Sequence, residues 1–521
     1  MFDIKNLSIR INKNSCEIIN NLNLSIASGE KLAIIGEEGN GKSTLIKAIL
    51  GLDISSYAEI TGNVNVNNLS IGYLPQMLDN YLLEMTVGQF LTYNEKLKEI
   101  DYSIYNNFKL ISKLFSDYDL DIKLIDEDKK LSMLSGGERL KLELIKIIGN
   151  NPDLIVLDEP TNDLDIESLE TLESCIIQDN RPIIFVSHDE KLLENTANAI
   201  LHLERLKKKT TSKWTYAKLD YKTYIENRKN LLNKQDQIAT FEHDKFDAKL
   251  ERWRKIYNQV DNDINSISRQ DPHGGRLLKK KMKSVKAQEK KLEKERENLP
   301  EFSDSEESIF LKFAGNYIDK NSTVLNVNIN ELKAGNNLLS NNINLKIYGK
   351  DKVVIIGKNG VGKSTLIKEI INNFTENKKI KIGYLPQDIN LEFNGFDNVL
   401  SYVEENAFSK QEKTMIRTFL GSLKFTENEI IGKISGLSGG SKVKLVLAKL
   451  MSENNDLLVL DEPTRNLSPL SNPELRRALS EYDGAILSIS HDRKFIEEVA
   501  TRVYELTKNG LVDVTDKFII K

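Results

Sequence analysis

The sequence predicts an α/β fold: two tandem copies of one phosphate-binding domain, joined by an α-helical hairpin. Three observations predict it. Short motifs recur in the same order in both halves of the chain. In each half the first of them is a glycine-rich loop set between an apolar strand and a helix. Between the halves runs a stretch whose first part lacks Gly and Pro and whose apolar residues recur every three or four positions.

The totals set the limits. A chain of 521 residues allows two or three domains. At 40% apolar and 29% charged it has the composition of a soluble globular protein. It has no run of about 18 apolar residues, so no transmembrane helix is expected. Met1 to Lys5 lacks the basic-then-apolar pattern of a secretion signal and reads as the start of a strand. The two cysteines, Cys16 and Cys175, fit a reducing cytoplasm. They exclude a thiolate zinc site and an iron–sulfur cluster.

The repeat comes next. Gly36-Glu37-Glu38-Gly39-Asn40-Gly41-Lys42-Ser43-Thr44 returns as Gly357-Lys358-Asn359-Gly360-Val361-Gly362-Lys363-Ser364-Thr365. Gly72-Tyr73-Leu74-Pro75-Gln76 returns as Gly383-Tyr384-Leu385-Pro386-Gln387. Leu134-Ser135-Gly136-Gly137, Leu157-Asp158-Glu159-Pro160-Thr161 and Ser187-His188-Asp189 all return 303 residues later. This places the two repeats at 1–222 and 301–521. Little chain follows the last expected strand, Arg502 to Leu506, so no C-terminal extension of note is expected.

Each motif carries a chemical role. Lys31 to Ile35 reads as a short buried strand, and a helix opens at Thr44. The backbone amides of such a loop, with the helix N-terminus, cradle phosphate. Gly36, Gly39, Gly41, Lys42, Ser43 and Thr44 therefore form one nucleotide site, and Gly357, Gly360, Gly362, Lys363, Ser364 and Thr365 a second. The two lysines reach the β- and γ-phosphates, and Ser43 and Ser364 hold Mg²⁺. Leu154 to Leu157 and Leu457 to Leu460 are apolar runs that end in Asp-Glu, as buried parallel strands do. Asp158 and Asp461 are expected in the Mg²⁺ shell, and Glu159 and Glu462 to polarise the attacking water. His188 and His491 each follow an apolar strand, within expected reach of the γ-phosphate. A lone His is more often structural, but its repetition after a strand in both halves argues for function. Gln76 and Gln387 can join metal and water.

With Leu134-Ser135-Gly136-Gly137 and Leu437-Ser438-Gly439-Gly440 in place, the sequence resembles the ATP-binding cassette family over nearly all of both repeats. The resemblance implies two tandem P-loop cassettes that bind ATP and Mg²⁺ and hydrolyse ATP. In that family the signature of one cassette completes the site on the other. By analogy Lys42, Gln76, Asp158, Glu159 and His188 pair with Ser438 and Gly440. Lys363, Gln387, Asp461, Glu462 and His491 pair with Ser135 and Gly137. The chain would be a monomer in solution whose cassettes pair with each other. Two departures stand out. Family members often stack adenine on an upstream aromatic, yet Phe2 is the only aromatic before Gly36, and 319–347 contains none. Asp165 of the first repeat is replaced by Ser468 in the second, so the two sites are expected to differ in rate or coupling.

The linker, 223–300, bears on what the ATPase acts on. Leu231, Ile238, Phe241, Phe246, Leu250, Trp253, Ile256/Tyr257, Val260, Ile264 and Ile267 form a helical stripe with near-heptad spacing. Asp271-Pro272-His273-Gly274-Gly275 is expected to break the helix. A second helix follows with Leu278, Met282, Val285 and Leu292 on one face. The pair should fold back as a hairpin roughly 65 Å long with its tip near 266–278. Arg276 to Lys294 holds nine basic residues against two Glu, and Ile225 to Pro300 carries +6 in a chain of net charge −4.

A charged helix can simply be solvated. Two cassettes without a membrane domain also fit the ATPase subunit of a transporter. The hairpin, however, resembles that of the ABC-F group of ribosome-binding translation ATPases. There the hairpin tip reaches toward the peptidyl-transferase centre and the peptidyl-site tRNA. The resemblance thus implies a cytoplasmic partner, the ribosome, met through large-subunit RNA and tRNA. Gln76 to Leu134 spans 58 positions and Gln387 to Leu437 spans 50, which leaves at most a short arm in the first cassette. A short arm with a long linker resembles the antibiotic-resistance members. A housekeeping translation factor and a transporter subunit remain the alternatives.

Overall fold

The structure is a computed structural model that describes residues 2–12, 16–66, 69–95, 97–162, 164–206, 211–266, 272–303, 311–313, 318–335, 337–374, 380–405, 407 and 409–519. It divides into two compact units, residues 1–221 with 306–521, and residues 222–305. The first holds both cassettes and the second the linker. Among the described residues no helix is long and apolar enough to cross a membrane.

Each cassette is built on a six-stranded sheet, and the strand order is the same in both. In cassette one it runs Ile71–Leu74, Leu154–Asp158, Ile183–Val186, Lys31–Ile35, Ala199–Arg205, Thr211–Ala217. In cassette two it runs Ile382–Leu385, Leu457–Asp461, Ala485–Ile489, Lys352–Ile356, Arg502–Thr507, Gly510–Asp513. The last strand of each is antiparallel and the others are parallel. Central strands such as Lys31–Ile35, Leu154–Asp158 and Leu457–Asp461 are buried at every residue. Such uninterrupted apolar runs require cover on both faces of the sheet. Parallel strands place their carboxyl ends along one edge, and ligands bind there in open α/β sheets. The phosphate loops, the Asp-Glu pairs and the histidines all leave from those ends. Register makes this specific: Asp158 lies opposite Val186, and Asp461 opposite Ile489. The next residues, Glu159 and Glu462, then donate their amides to Val186 O at 3.1 Å and Ile489 O at 3.0 Å.

A band of ion pairs joins the two cassettes. Arg476 is 2% exposed and grips Glu190 of cassette one through Nη1–Oε1 at 2.6 Å and Nη2–Oε2 at 3.0 Å. Arg493 pairs with Glu173 and with Asp189. Lys494 meets Glu194 at 2.5 Å, and Lys191 meets Glu497 at 3.1 Å. In its buried part the acids come from cassette one and the arginines from cassette two. Removing one member of a buried pair strands the other, which costs about 3–5 kcal/mol. Arg476→Met is therefore expected to lower the denaturant midpoint clearly, and Arg476→Met with Glu190→Leu to recover most of the loss. Equal midpoints for Arg476→Met and the parent chain would show that this clasp does not hold the cassettes together.

The linker unit is an antiparallel helical hairpin, Tyr221–Ser266 followed by Pro272–Glu297. Trp253 Nε1 donates to Val285 O at 2.9 Å, and Lys249 pairs with Glu295. The seam of the second helix follows Leu278, Met282, Val285 and Leu292, all buried or partly buried, as the sequence indicates. The first helix departs from expectation in its early part. Leu231, Ile238 and Phe241 are exposed, while of the pair Ile256/Tyr257 it is Tyr257 that faces the seam. The seam there runs through Ala239, His243, Phe246, Leu250, Trp253, Tyr257 and Val260, at strictly alternating steps. The early part of that seam meets the chain at 300–303 rather than a second helix, through polar contacts and the His243 ring on Phe302. Asp236 accepts from Ser303 N and Oγ, each at 2.7 Å, and His243 Nε2 lies 3.2 Å from Pro300 O. The expected break is also displaced. Pro272 opens the second helix, where its fixed φ suits the first helical position, so Gly274 and Gly275 lie inside the helix. Ile267 and the 267–271 part of the expected tip fall outside the described residues.

Candidate ATP sites

The phosphate loops are shaped by backbone that only glycine tolerates. Gly36 and Gly357 have φ of 142° and 149°. A Cβ at Gly36 would sit 2.2 Å from Leu203 O, and one at Gly357 2.8 Å from Leu506 O. The buried lysines fold back over their own loops. Lys42 Nζ donates to Gly36 O at 2.7 Å and Glu37 O at 3.1 Å. Lys363 Nζ donates to Gly357 O at 2.7 Å and Lys358 O at 3.0 Å.

Around the first loop the structure brings together Ser43, Thr44, Gln76, Asp158, Glu159 and His188. Ser43 Oγ lies 3.3 Å from Asp158 Oδ1. Glu159 accepts from Gln76 Nε2 at 2.7 Å and Asn162 Nδ2 at 2.9 Å, and His188 Nε2 is 3.5 Å away. The second loop opens on a cavity of about 410 Å³ lined by Lys363, Ser364, Thr365, Gln387, Asp461, Glu462 and His491. That volume is within the range of small-molecule sites. Glu159 and Glu462 have φ of 51° and 55°, in the left-handed region. Non-glycine residues held there are strained, and such strain gathers at functional sites.

Electrostatics separate the two glutamates. Burial raises the Glu159 pKa, but His188, Asn162 and Lys42 more than offset it and hold the group down at about 2. Burial, and then the charge of Asp461, push Glu462 up to about 8. Burial drives His491 down to about 3. Burial, and then the charge of Glu159, raise Asp158 to about 6. Asp461 is raised as well, chiefly by burial.

Buried carboxylates pushed toward their neutral form favour a neighbouring cation. Mg²⁺ takes one or two protein oxygens and completes its shell with phosphate and water. Ser43 with Asp158, and Ser364 with Asp461, supply hard oxygen donors of that kind. Asp461 Oδ1, His188 Nδ1 and both ring nitrogens of His491 are buried with no hydrogen-bond partner among the described residues. Buried polar atoms left this way fit a polar ligand.

The two signatures differ in placement. Both are helix N-caps. Ser135 accepts from Glu138 N at 3.2 Å, and Ser438 accepts from Ser441 N at 3.2 Å. Gly440 donates to the carboxylate of Glu38, so the second signature meets the first phosphate loop. Ser135 is exposed, and neither it nor Gly137 lines the cavity at Lys363. Cassette one reaches that cavity instead through Thr161, Asn162, Leu164 and His188.

Sequence reasoning missed Asn162, Glu37, Glu38 and Lys444 as contacts. Asn162 aligns with Arg465, so the repeat gave no signal for it. Among the described residues no aromatic lines the openings at Lys42 and Lys363, whereas Phe518 lines a separate crevice with Gly357 and Lys358. Ile11, Cys16 and Ile18 flank the first, and Ala334 and Leu339 the second.

The family model described as ABC transporter matches residues 19–162 and 340–465, more than half of the chain. The sequence is 29% identical to ABC transporter F family member 2 of Arabidopsis thaliana, over 95% of this chain and 75% of that protein. It is 30% identical to the ATP-binding protein Uup of Buchnera aphidicola, over 95% of this chain and 79% of that protein. The chain belongs to the ABC-F family. This ABC-F chain is an ATPase of two tandem cassettes. It is also 27% identical to the ribosome protection protein VmlR of Bacillus subtilis, over 95% of this chain and 85% of that protein.

Proposed function

We propose that this ABC-F ATPase works on the ribosome and protects it from antibiotics. In this reading the cassettes cover 1–222 and 301–521. The linker, 223–300, reaches toward the peptidyl-transferase centre and the peptidyl-site tRNA. The observation that carries the reading is the second hairpin helix. Its nine basic residues from Arg276 to Lys294 are all exposed, while its apolar face is spent on the hairpin seam. A solvated face needs no such excess of one sign, whereas RNA backbone is bound chiefly through Lys and Arg. Similarity to a ribosome protection protein over most of its length supports the same reading.

Within each site, Lys42 and Lys363 hold the β- and γ-phosphates, and the Gly-rich amides wrap them. Ser43 with Asp158, and Ser364 with Asp461, hold Mg²⁺, which when bound neutralises phosphate charge. Glu159, and Glu462 in its ionised form, draw the proton of the attacking water, Gln76 and Gln387 orient it, and His188 and His491 contact the γ-phosphate. Ser438 and Gly440, and Ser135 and Gly137, complete the opposite sites when the cassettes close. Phosphoryl transfer depends mostly on such positioning and electrostatic stabilisation.

The hairpin is tested through salt. Lys279, Lys283, Lys286 and Lys290 lie along one exposed stripe. Changing all four to Gln is expected to reduce the slope of log affinity against log salt by about one unit for each phosphate no longer neutralised. An unchanged slope would return the stripe to solvent. Replacing 269–275 by Gly and Ser is expected to leave ribosome affinity intact and to change growth on peptidyl-transferase-targeting antibiotics. A parent chain that gives no resistance would make a housekeeping translation factor the better reading.

A further inference from the structure

At the first ATP site the phosphate loop itself reaches across to the opposite cassette. Glu38 accepts from the Gly440 amide at the start of the helix Gly439–Ser452. Glu37 pairs with Lys444 of the same helix at 2.5 Å. Positions 440 and 444 are one turn apart, so two consecutive loop carboxylates hold the first two turns of one helix. Glu38 Oε2 sits where the helix N-terminus presents a free amide and positive potential.

The second site is arranged the other way round. Its loop has Lys358 and Asn359 at the matching positions. There the carboxylate comes from the opposite cassette: Asp165 accepts from the Asn359 amide. Lys358 pairs with Glu167 at 3.0 Å. In cassette two the residue aligned with Asp165 is Ser468, which lines a crevice with Glu37, Glu38, Ser438 and Gly440. The acidic group has changed sides between the two sites. At the second it binds the loop amide of Asn359 and, through Ser168, sits beside Gly137 of the signature without taking a signature amide. At the first it holds the signature amide itself.

We propose that Glu38 is a positioning residue of the first ATP site: it docks the signature helix of cassette two onto the loop, and the γ-phosphate must displace it from Gly440. The first site is therefore the weaker for ATP, and the difference lies in the γ-phosphate. This rests on the reading that residues 36–44 and Ser438 to Gly440 hold ATP.

The test uses the full chain carrying Lys363→Ala, which silences the second site, with ATP and ADP titrated separately. Glu38→Asn installs the residue the second loop carries, and Glu38→Gln keeps the size of the side chain. Both are expected to tighten ATP about tenfold, the equivalent of one competing charged hydrogen bond, and to move ADP by less than about twofold. Unchanged ATP affinity in both variants overturns the proposal. Equal tightening of ATP and ADP also overturns it, because general relief of charge repulsion would then be the cause. Adding Lys42→Ala separates the two levels: ATP binding that survives it would sink the site reading, and the proposal with it.

Discussion

Lys42→Ala combined with Lys363→Ala is expected to leave no saturable ATP binding where the parent chain saturates. Each lysine is buried and donates to the two carbonyls that open its loop. Its ammonium is therefore fixed over the place the phosphates take. A hydrogen bond to a charged group contributes about 1.5–3 kcal/mol, so each truncation weakens its site by roughly 10- to 150-fold. The loops keep their shape in this variant, because the glycines and their positive φ values do not depend on the lysines. Binding is read by titration with a fluorescent ATP analogue. Parent-like affinity in the double variant would show that the loops are not the ATP sites.

Much of this was legible in the sequence, for a physical reason. A phosphate loop is written in consecutive residues, because it is the backbone between one strand and one helix that binds. The same holds for Asp158-Glu159 at the end of a strand. Duplication then doubled each signal, the last three motifs at a fixed offset of 303 residues. What the sequence hid were contacts between segments that lie far apart. Nothing local says that Glu38 meets Gly440, about 400 residues away, or that Arg476 reaches Glu190. The hairpin seam failed for a related reason. The spacing of Leu231, Ile238 and Phe241 is helical, but spacing does not name the partner. Their helix there packs a polar face, Asp236 and His243, against the chain at 300–303. Gly274 and Gly275 misled because glycine is a breaker only where something else does not already start a helix, and Pro272 does.

The second large effect is expected from Glu159→Gln with Glu462→Gln. Glutamine keeps the shape and hydrogen-bonding reach of each side chain and removes the carboxylate that draws the proton from water. A positioned general base contributes about 10²- to 10⁴-fold, so turnover should fall by that order while ATP binding persists. Glu159 is held ionised by His188, Asn162 and Lys42, so it carries no proton of its own at neutral pH. Parent-like turnover in the double variant would move the base elsewhere.

The same variant gives the most direct test of the central claim, that this ATPase acts on the ribosome. Without hydrolysis the ATP-bound, closed cassettes have no route to reset. The measurement is co-sedimentation with ribosomes through a sucrose cushion, for the parent chain and for Glu159→Gln with Glu462→Gln, with and without ATP. The variant is expected to pellet with ribosomes when ATP is present, and far more of it than of the parent. Finding the variant only in the ribosome-free fraction with ATP present would contradict the ribosome as its target, and its recovery with a membrane transporter subunit would put the transporter reading in its place.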